Sequence, residues 1–246
     1  MPLKLNQYFG FLRSIVIYFR PTQVLSWRRF YSQLLKPGDL AFDVGAHVGS
    51  KTRFMNAAGL KVIALEPQEP FASFLRKTLP KQVNFIQAAA GEKNQNLTMA
   101  VSSKHPTVSS LGKLFLDSAE SAKGFESVSW DKEQLVKVVT LDSVIDQYGI
   151  PEYIKIDVEG YELQVLNGLS RPVKMISFEF LPSIPKLTEN VLERLSRLGD
   201  YRFNLVVGEK AKFHWNNWGD QTSLQNWMSS QGADSKSVDI FAKLEN

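Results

Sequence analysis

The 246-residue chain contains no cysteine. Disulfides, thiolate metal sites, iron–sulfur clusters and cysteine nucleophiles are therefore excluded. No run is long and apolar enough to span a bilayer. Residues 9–19 are apolar, but Arg13 interrupts them and no small-residue cleavage pattern follows, so they do not read as a signal peptide. A cytoplasmic protein is the simplest expectation. Internal repeats and low-complexity segments are missing. A strong charge bias is missing too: the net charge is +4 and the pI about 9.1. That permits an anionic substrate or membrane surface, but is too weak to argue a nucleic-acid partner. What remains is an ordinary globular composition, 43% hydrophobic and 22% charged. One α/β domain with a sizeable core is the default at this length.

Two motif absences narrow the function. There is no G-x-G-x-x-G, which a nicotinamide-dependent oxidoreductase would want, and no Pro-Pro pair of the kind found in nucleic-acid amino-methylating enzymes. The stretch 41–52, AFDVGAHVGSKT, offers something else. An apolar strand ends in Asp43. The turn Gly45-Ala46-His47-Val48-Gly49 follows, then residues that start a helix. Glycines let the backbone approach a ligand, and a helix N-terminus turns free N–H groups toward it. A carboxylate two residues before the first glycine would repel a pyrophosphate and suit a ligand bearing an ammonium group. S-adenosylmethionine (SAM) is such a ligand. The alternative for Asp43 is a turn-capping role without ligand contact.

Residues 3–36 read as two helices split at 20–22, an N-terminal extension to a domain spanning 37–246. The first, at 3–20, carries apolar residues at helical spacing with Lys4, Arg13 and Arg20 among them. It reads either as a basic membrane-surface anchor or as a helix packed over the domain. From 37 onward strands and helices alternate, which argues a parallel sheet covered on both faces. Strands are expected at 39–44, 61–66, 83–88, 153–158 and 173–180. Two extra strands fall at 96–102 and 135–141. The polar stretch 103–133 between them is long enough to be a substrate lid. Strands at 201–207 and 237–244, joined by an aromatic, Asn-rich loop, suggest an antiparallel hairpin at one sheet edge.

Ligands of open α/β sheets bind beyond the carboxyl ends of the strands. Acids end four of these strands: Asp43, Glu66, the Asp157/Glu159 pair, and Glu179. Glu66 follows the second strand, where a carboxylate accepts ribose hydroxyls. In IKIDVEGYE, 154–162, Asp157 and Glu159 flank Val158 and should point together into the cleft, with Gly160 permitting the turn. Such a pair orients a hydroxyl, takes its proton or holds a metal. The bland alternative is a structural network with Lys155.

With these motifs in hand, the chain resembles the FkbM-type SAM-dependent methyltransferases. DVGAHVGS at 43–50, ALEP at 64–67, VTLD at 139–142 and IKIDVEGYE at 154–162 carry the resemblance; SFEF at 177–180 and VDIFA at 238–242 are weaker matches. The resemblance implies a doubly wound, mostly parallel seven-stranded sheet with a terminal antiparallel hairpin. It implies methyl transfer from SAM to a hydroxyl of a sugar, glycolipid or natural product. By position, Asp43, Gly45, Ala46, His47 and Gly49 would line the methionine side of SAM, Glu66 its ribose, and Ala89 and Ala90 its adenine edge. Asp157 would touch cofactor as well as acceptor. Ser109 and Ser110 resemble a serine pair in the family's lid and, with Glu179, would face the acceptor.

An alcohol is a poor nucleophile, so a general base is expected, with Asp157 and Glu159 first and His105 of the long loop next. No third metal ligand is identifiable beside Asp157 and Glu159, so metal-independent O-methylation is expected. The absent cysteines exclude cluster-dependent radical use of SAM and the cysteine route to 5-methylcytosine. A nitrogen acceptor, or a non-catalytic SAM-binding or membrane-associated scaffold, is the alternative.

Overall fold

A computed structural model describes residues 11–13, 15–16, 21–119, 125–233, 235 and 238–245. Helix α1 (Pro21–Leu34) starts on a proline, whose missing N–H costs nothing in a first turn. Strand β1 (Leu40–Val44), α2 (Ser50–Ala57), β2 (Lys61–Leu65), α3 (Phe71–Thr78) and β3 (Asn84–Ile86) follow. Next come β4 (Ala89–Ala90), β5 (Gln95–Val101), a 3₁₀ turn at Pro106–Val108, α4 (Lys113–Ala119) and β6 (Lys132–Val139). The chain continues through α5 (Leu141–Tyr148), β7 (Tyr153–Ile156), α6 (Glu162–Asn167), β8 (Met175–Phe180) and α7 (Pro185–Leu198). It closes with β9 (Tyr201–Val207), α8 (Gln221–Ser229) and β10 (Val238–Leu244).

Seven strands form the main sheet in the order β3-β2-β1-β7-β8-β10-β9. All pair parallel except β10, which lies antiparallel between β8 and β9. Side chains alternate across it with period two. Phe42, Ile154 and Ile156 enter one core with Val165, Leu192 and Leu205. Ala41 and Tyr153 enter the other with Trp27, Tyr31, Met55 and Phe241. Both faces are thus covered by apolar side chains, the arrangement a parallel sheet requires.

Three expectations are corrected. The strand expected at 83–88 is shorter, β3, and stays in the main sheet, while β4, a further short strand just beyond it, joins β6 and β5 in a second, three-stranded sheet. The last two strands do pair antiparallel, but helix α8 stands between them. Asp220 caps it by accepting from the Ser223 N–H at 2.8 Å. Its apolar stripe is short, with only Leu224 and Met228 buried, which hid it among Asn, Gln and Ser. The lid region is also less irregular than expected. Phe115 and Ala119 of α4 pack with Ile184, Phe125 and Trp130 into a small core of their own.

Most of the helix expected at 3–20 lies outside the described residues. Of its described part, Phe11 packs on Phe71 and Phe74, with ring centroids 5.6 and 5.5 Å apart. Leu12 and Val16 are exposed. No helix among the described residues is long and apolar enough to cross a membrane.

Candidate active site

A cavity of about 350 Å³ opens at the carboxyl ends of the central strands. Seven acids and two lysines line it. It has three walls, each built differently.

The first wall is the turn between β1 and α2. Gly45 and Ala46 donate their N–H groups to the Leu65 carbonyl at 3.0 and 2.9 Å, which fastens the turn to β2. Gly45 sits at φ 82°, and a Cβ there would lie 1.8 Å from the Asp157 carbonyl oxygen. Only glycine lets the two loops touch. Glu66, just past β2, accepts from the His47 N–H at 2.7 Å and from the Gln68 N–H at 2.9 Å. Burial pushes its carboxyl up to about 7. The His47 ring packs tilted against Phe71, with ring centroids 4.3 Å apart, and burial lowers its imidazole to about 4, so it is neutral at pH 7. Asp43 is buried, and its Oδ2 accepts from the Thr52 hydroxyl. Among the described residues its Oδ1 has no hydrogen-bond donor; Lys155 Nζ stands 3.9 Å away. Burial raises the Asp43 carboxyl against the pull of Lys155 and Thr52.

The second wall is the turn after β7 together with the lid. Asp157 and Glu159 face the cavity and are joined by Glu179 from β8. One carboxylate oxygen from each lies within 4.8 Å of the others. Burial opposes the Asp157 charge, but Lys155 Nζ at 2.8 Å outweighs it and holds the carboxyl below the usual range. Glu159 has the opposite fate. Burial, then the charges of Glu179, Asp157 and Glu162, push it well above the usual range. Glu162, at the start of α6, braces the turn by accepting from the Val158 and Gly160 N–H groups at 3.3 and 3.2 Å. The lid docks here. The Ser110 hydroxyl donates to the Glu159 carbonyl at 2.6 Å and accepts from the Gly112 N–H at 2.8 Å. Phe115 packs so close to Gly160 that a Cβ there would meet it at 2.3 Å.

The third wall joins α1, the first turn of α2, the turn after β9, and β10. Lys51 Nζ lies 2.7 Å from Glu209 Oε2 and 3.3 Å from the centroid of the Trp27 ring. Asp239 of β10 stands opposite Glu179 in the strand register.

Most residues expected at a site line this one cavity: Asp43, Gly45, Ala46, His47, Glu66, Ala89, Ala90, Ser109, Ser110, Asp157, Glu159 and Glu179. Two do not. Gly49 faces Arg53 and Leu75 instead, at a φ of 77° that turns the chain into α2. His105 lies beside the lining residues Pro106 and Thr107, with its Nδ1 3.5 Å from the Arg13 guanidinium. Glu179, expected in front of the acceptor, also converges with Asp157 and Glu159 as the third carboxylate that the sequence did not identify as a possible metal ligand. Lys51, Glu209 and Asp239 were also missed. Asp239 had left a signal, a lone acid in the otherwise apolar VDIFA. Lys51 lies two residues past Gly49, in the first turn of α2 that borders the glycine turn.

Among known proteins, the hexuronic acid methyltransferase AglP of Haloferax volcanii is 24% identical over 142 residues, covering 57% of this chain and 54% of the relative. The chain thus spans about half the length of that curated relative. Among solved structures, an O-methyltransferase from Bacillus cereus in complex with SAH superposes with a TM-score of 0.49 at 13% identity, covering 100% of this chain and 93% of the other. A TehB-like SAM-dependent methyltransferase from Corynebacterium glutamicum gives 0.48 at 10% identity, covering 95% and 94%. The methyltransferase FkbM domain matches residues 43–235, from the acid of the glycine turn past the whole second wall. The chain belongs to the FkbM methyltransferase domain family.

Proposed function

We propose that the protein is a SAM-dependent methyltransferase that methylates a hydroxyl of a sugar, glycolipid or related natural product. One observation carries this reading. At Gly45 the glycine turn touches the backbone of Asp157, the first of three converging carboxylates. A donor cradle and a proton-handling end share one contact.

The residues fit the cofactor. Asp43 Oδ1 is a buried acceptor with no donor among the described residues, and such an atom suits a cationic ligand. Each Glu66 oxygen accepts one N–H and has a second lone pair, which leaves capacity for ribose hydroxyls. Ala89, Ala90 and Met99 supply apolar surface for a base. Glu66 would thus hold the ribose, Asp43 with Gly45, Ala46 and His47 the methionine side, and Ala89 and Ala90 the adenine edge. When bound, SAM supplies an electrophilic methyl group on a positively charged sulfur.

The chain's own residues do the rest. Lining up the acceptor oxygen contributes up to about 7–11 kcal/mol. Ser109 and Ser110 of the lid face that space and help to orient it. Glu159, crowded by Glu179 and Asp157, has its carboxyl pushed above the usual range, which suits removal of a hydroxyl proton, typically worth about 10²–10⁴-fold. Asp157, kept ionised by Lys155, orients rather than accepts. Three carboxylates would repel an anionic acceptor group, so the reacting group is a neutral hydroxyl even if the sugar is acidic. The relative named for hexuronic acid supports a sugar acceptor. The same three oxygens favour a second reading, in which they hold a hard cation such as Mg²⁺. A peripheral membrane contact through residues 3–20 extends the proposal: exposed Leu12 and Val16 support it, while Phe11, packed on Phe71 and Phe74, supports the domain-packed alternative.

The test is to incubate the purified chain with methyl-labelled SAM and host glycan and lipid extracts. Formation of S-adenosylhomocysteine with a base-stable methyl ether is the expected result. A base-labile ester or a methylated amine would overturn the hydroxyl acceptor. Binding without turnover would favour a scaffold. Loss of activity on chelation, restored by Mg²⁺, would favour the cation.

A further inference from the structure

Charge is distributed unevenly along the chain. Lys4, Arg13, Arg20, Arg28, Arg29 and Lys36 are the charged side chains that precede Asp39, so this stretch carries no acid. The whole chain has a net charge of only +4, so the remainder, from Asp39 onward, is slightly acidic in sum. Apolar exposure is concentrated in the same basic stretch. Among the described residues, Leu12, Val16 and Leu25 are 45%, 77% and 74% exposed. The other exposed large hydrophobics, Leu114, Leu135 and Ile150, stand singly on the lid, on β6 and after α5.

Helix α1 has two unlike faces. Trp27, Phe30 and Tyr31 are buried and join the core on one side of the main sheet. Leu25, Arg28, Arg29 and Ser32 are exposed, and their helical spacing sets them in one outward stripe. Among the described residues neither arginine has a carboxylate partner. The stripe begins at the edge of the cavity. Gln23, two residues before Leu25, lines the cavity. The Arg13 guanidinium lies 3.5 Å from His105, beside the lining residues Pro106 and Thr107. Phe11 packs on Phe71, which in turn packs on His47 of the lining. A basic face with exposed aliphatic side chains thus borders the cavity.

Resting on the methyltransferase reading, and apart from the contact of residues 3–20, we propose that the outer face of α1 docks on an anionic lipid bilayer. Arg28 and Arg29 meet the headgroups and Leu25 enters the interface, with Leu12 and Val16 beside it. Charge decides the occupant: a stretch of basic residues with no acid among them complements an anionic leaflet, where each Lys or Arg strengthens adsorption and apolar side chains add to it. The cavity then works at the membrane surface, and the hydroxyl it methylates is carried on a lipid.

Co-sedimentation of the full chain with vesicles tests this. The chain should bind vesicles of mixed phosphatidylcholine and phosphatidylglycerol, and not vesicles of phosphatidylcholine alone. Arg28→Ala combined with Arg29→Ala should weaken that binding about tenfold or more. Helix α7 packs on the opposite side of the sheet. The same loss of charge there, Lys186→Ala with Arg197→Ala, should change binding by less than about twofold. The chain has no cysteine, so Leu25→Cys can carry a single environment-sensitive dye. Its emission should shift to the blue on anionic vesicles, and that of the same dye at Lys186→Cys should not. S-adenosylhomocysteine affinity within about twofold of wild type reports an intact fold in each variant. No binding to anionic vesicles, equal binding to neutral ones, equal loss in both double variants, or an unshifted dye at position 25 would overturn the docking face. Labelled methyl confined to water-soluble glycans would overturn the lipid-borne acceptor. Vesicle binding by a chain that binds neither SAM nor S-adenosylhomocysteine would instead overturn the methyltransferase reading and leave the docking face standing.

Discussion

The first and second walls of the cavity, which the proposed function makes a donor wall and a transfer wall, are each braced by one buried glutamate. Glu66 accepts two backbone N–H bonds from the glycine turn and its neighbour. Glu162 accepts two from the turn after β7. Burial pushes both carboxyls to about 7. They differ in access: Glu66 lines the cavity and Glu162 does not. A carboxylate that braces a loop is therefore not, by its protonation alone, a ligand-binding group. What separates the two is the space in front of them.

The walls also differ in how they are made. The donor wall comes largely from one stretch, Asp43 to Gln68, fastened strand to strand. The transfer wall gathers Asp157, Glu159, Glu179 and Ser110 from two strand ends and the lid. Gly45 is where they meet, so Gly45→Ala should break both at once. With a Cβ 1.8 Å from the Asp157 carbonyl, the cost should be about 3–5 kcal/mol. For a chain of this size that lowers Tm by roughly 10 °C. S-adenosylhomocysteine binding should fall with it, and calorimetry checks both. An unchanged Tm would mean that the two turns are not in contact.

The glutamate pair provides a smaller effect. The Glu162 carboxyl is raised from 4.5 to about 7 in the folded chain. Between those pH values the folded state holds a proton that the unfolded state has released. Stability therefore falls as pH rises across that window and levels off above it. Glu162→Gln keeps the acceptor oxygen and removes the titration. Relative to wild type it should gain about 3 kcal/mol between pH 4.5 and 7, read from denaturant midpoints at each pH. The gain should persist with saturating S-adenosylhomocysteine, because no ligand reaches Glu162. A gain that vanishes with ligand would place Glu162 in the cavity after all.

The same contrast explains what was legible in the sequence. The donor wall is short-range: a strand, a glycine turn, a helix start and a strand-end acid at fixed spacing. Asp43, Gly45 and Glu66 could be named from that spacing. The transfer wall was half legible. Asp157 and Glu159 share one motif, but their meeting with Glu179 depends on β7 and β8 pairing side by side. Lys51 and Asp239 line one cavity only because β10 turns back between β8 and β9. Helix α8 was missed because few of its residues are buried. His105 was a chemical guess from residue type, and the lid turns it toward Arg13 rather than the cavity.

The central claim is that one wall binds the donor and the other moves the proton. It is tested most directly by Glu159→Gln and Glu179→Gln, measured for both turnover and S-adenosylhomocysteine affinity. Turnover should fall by about 10²–10⁴-fold in at least one of them. The Kd should stay within about twofold, because no bond that holds the donor wall is removed. Turnover near wild type in both variants, or a Kd that rises in step with the loss of turnover, would contradict the account.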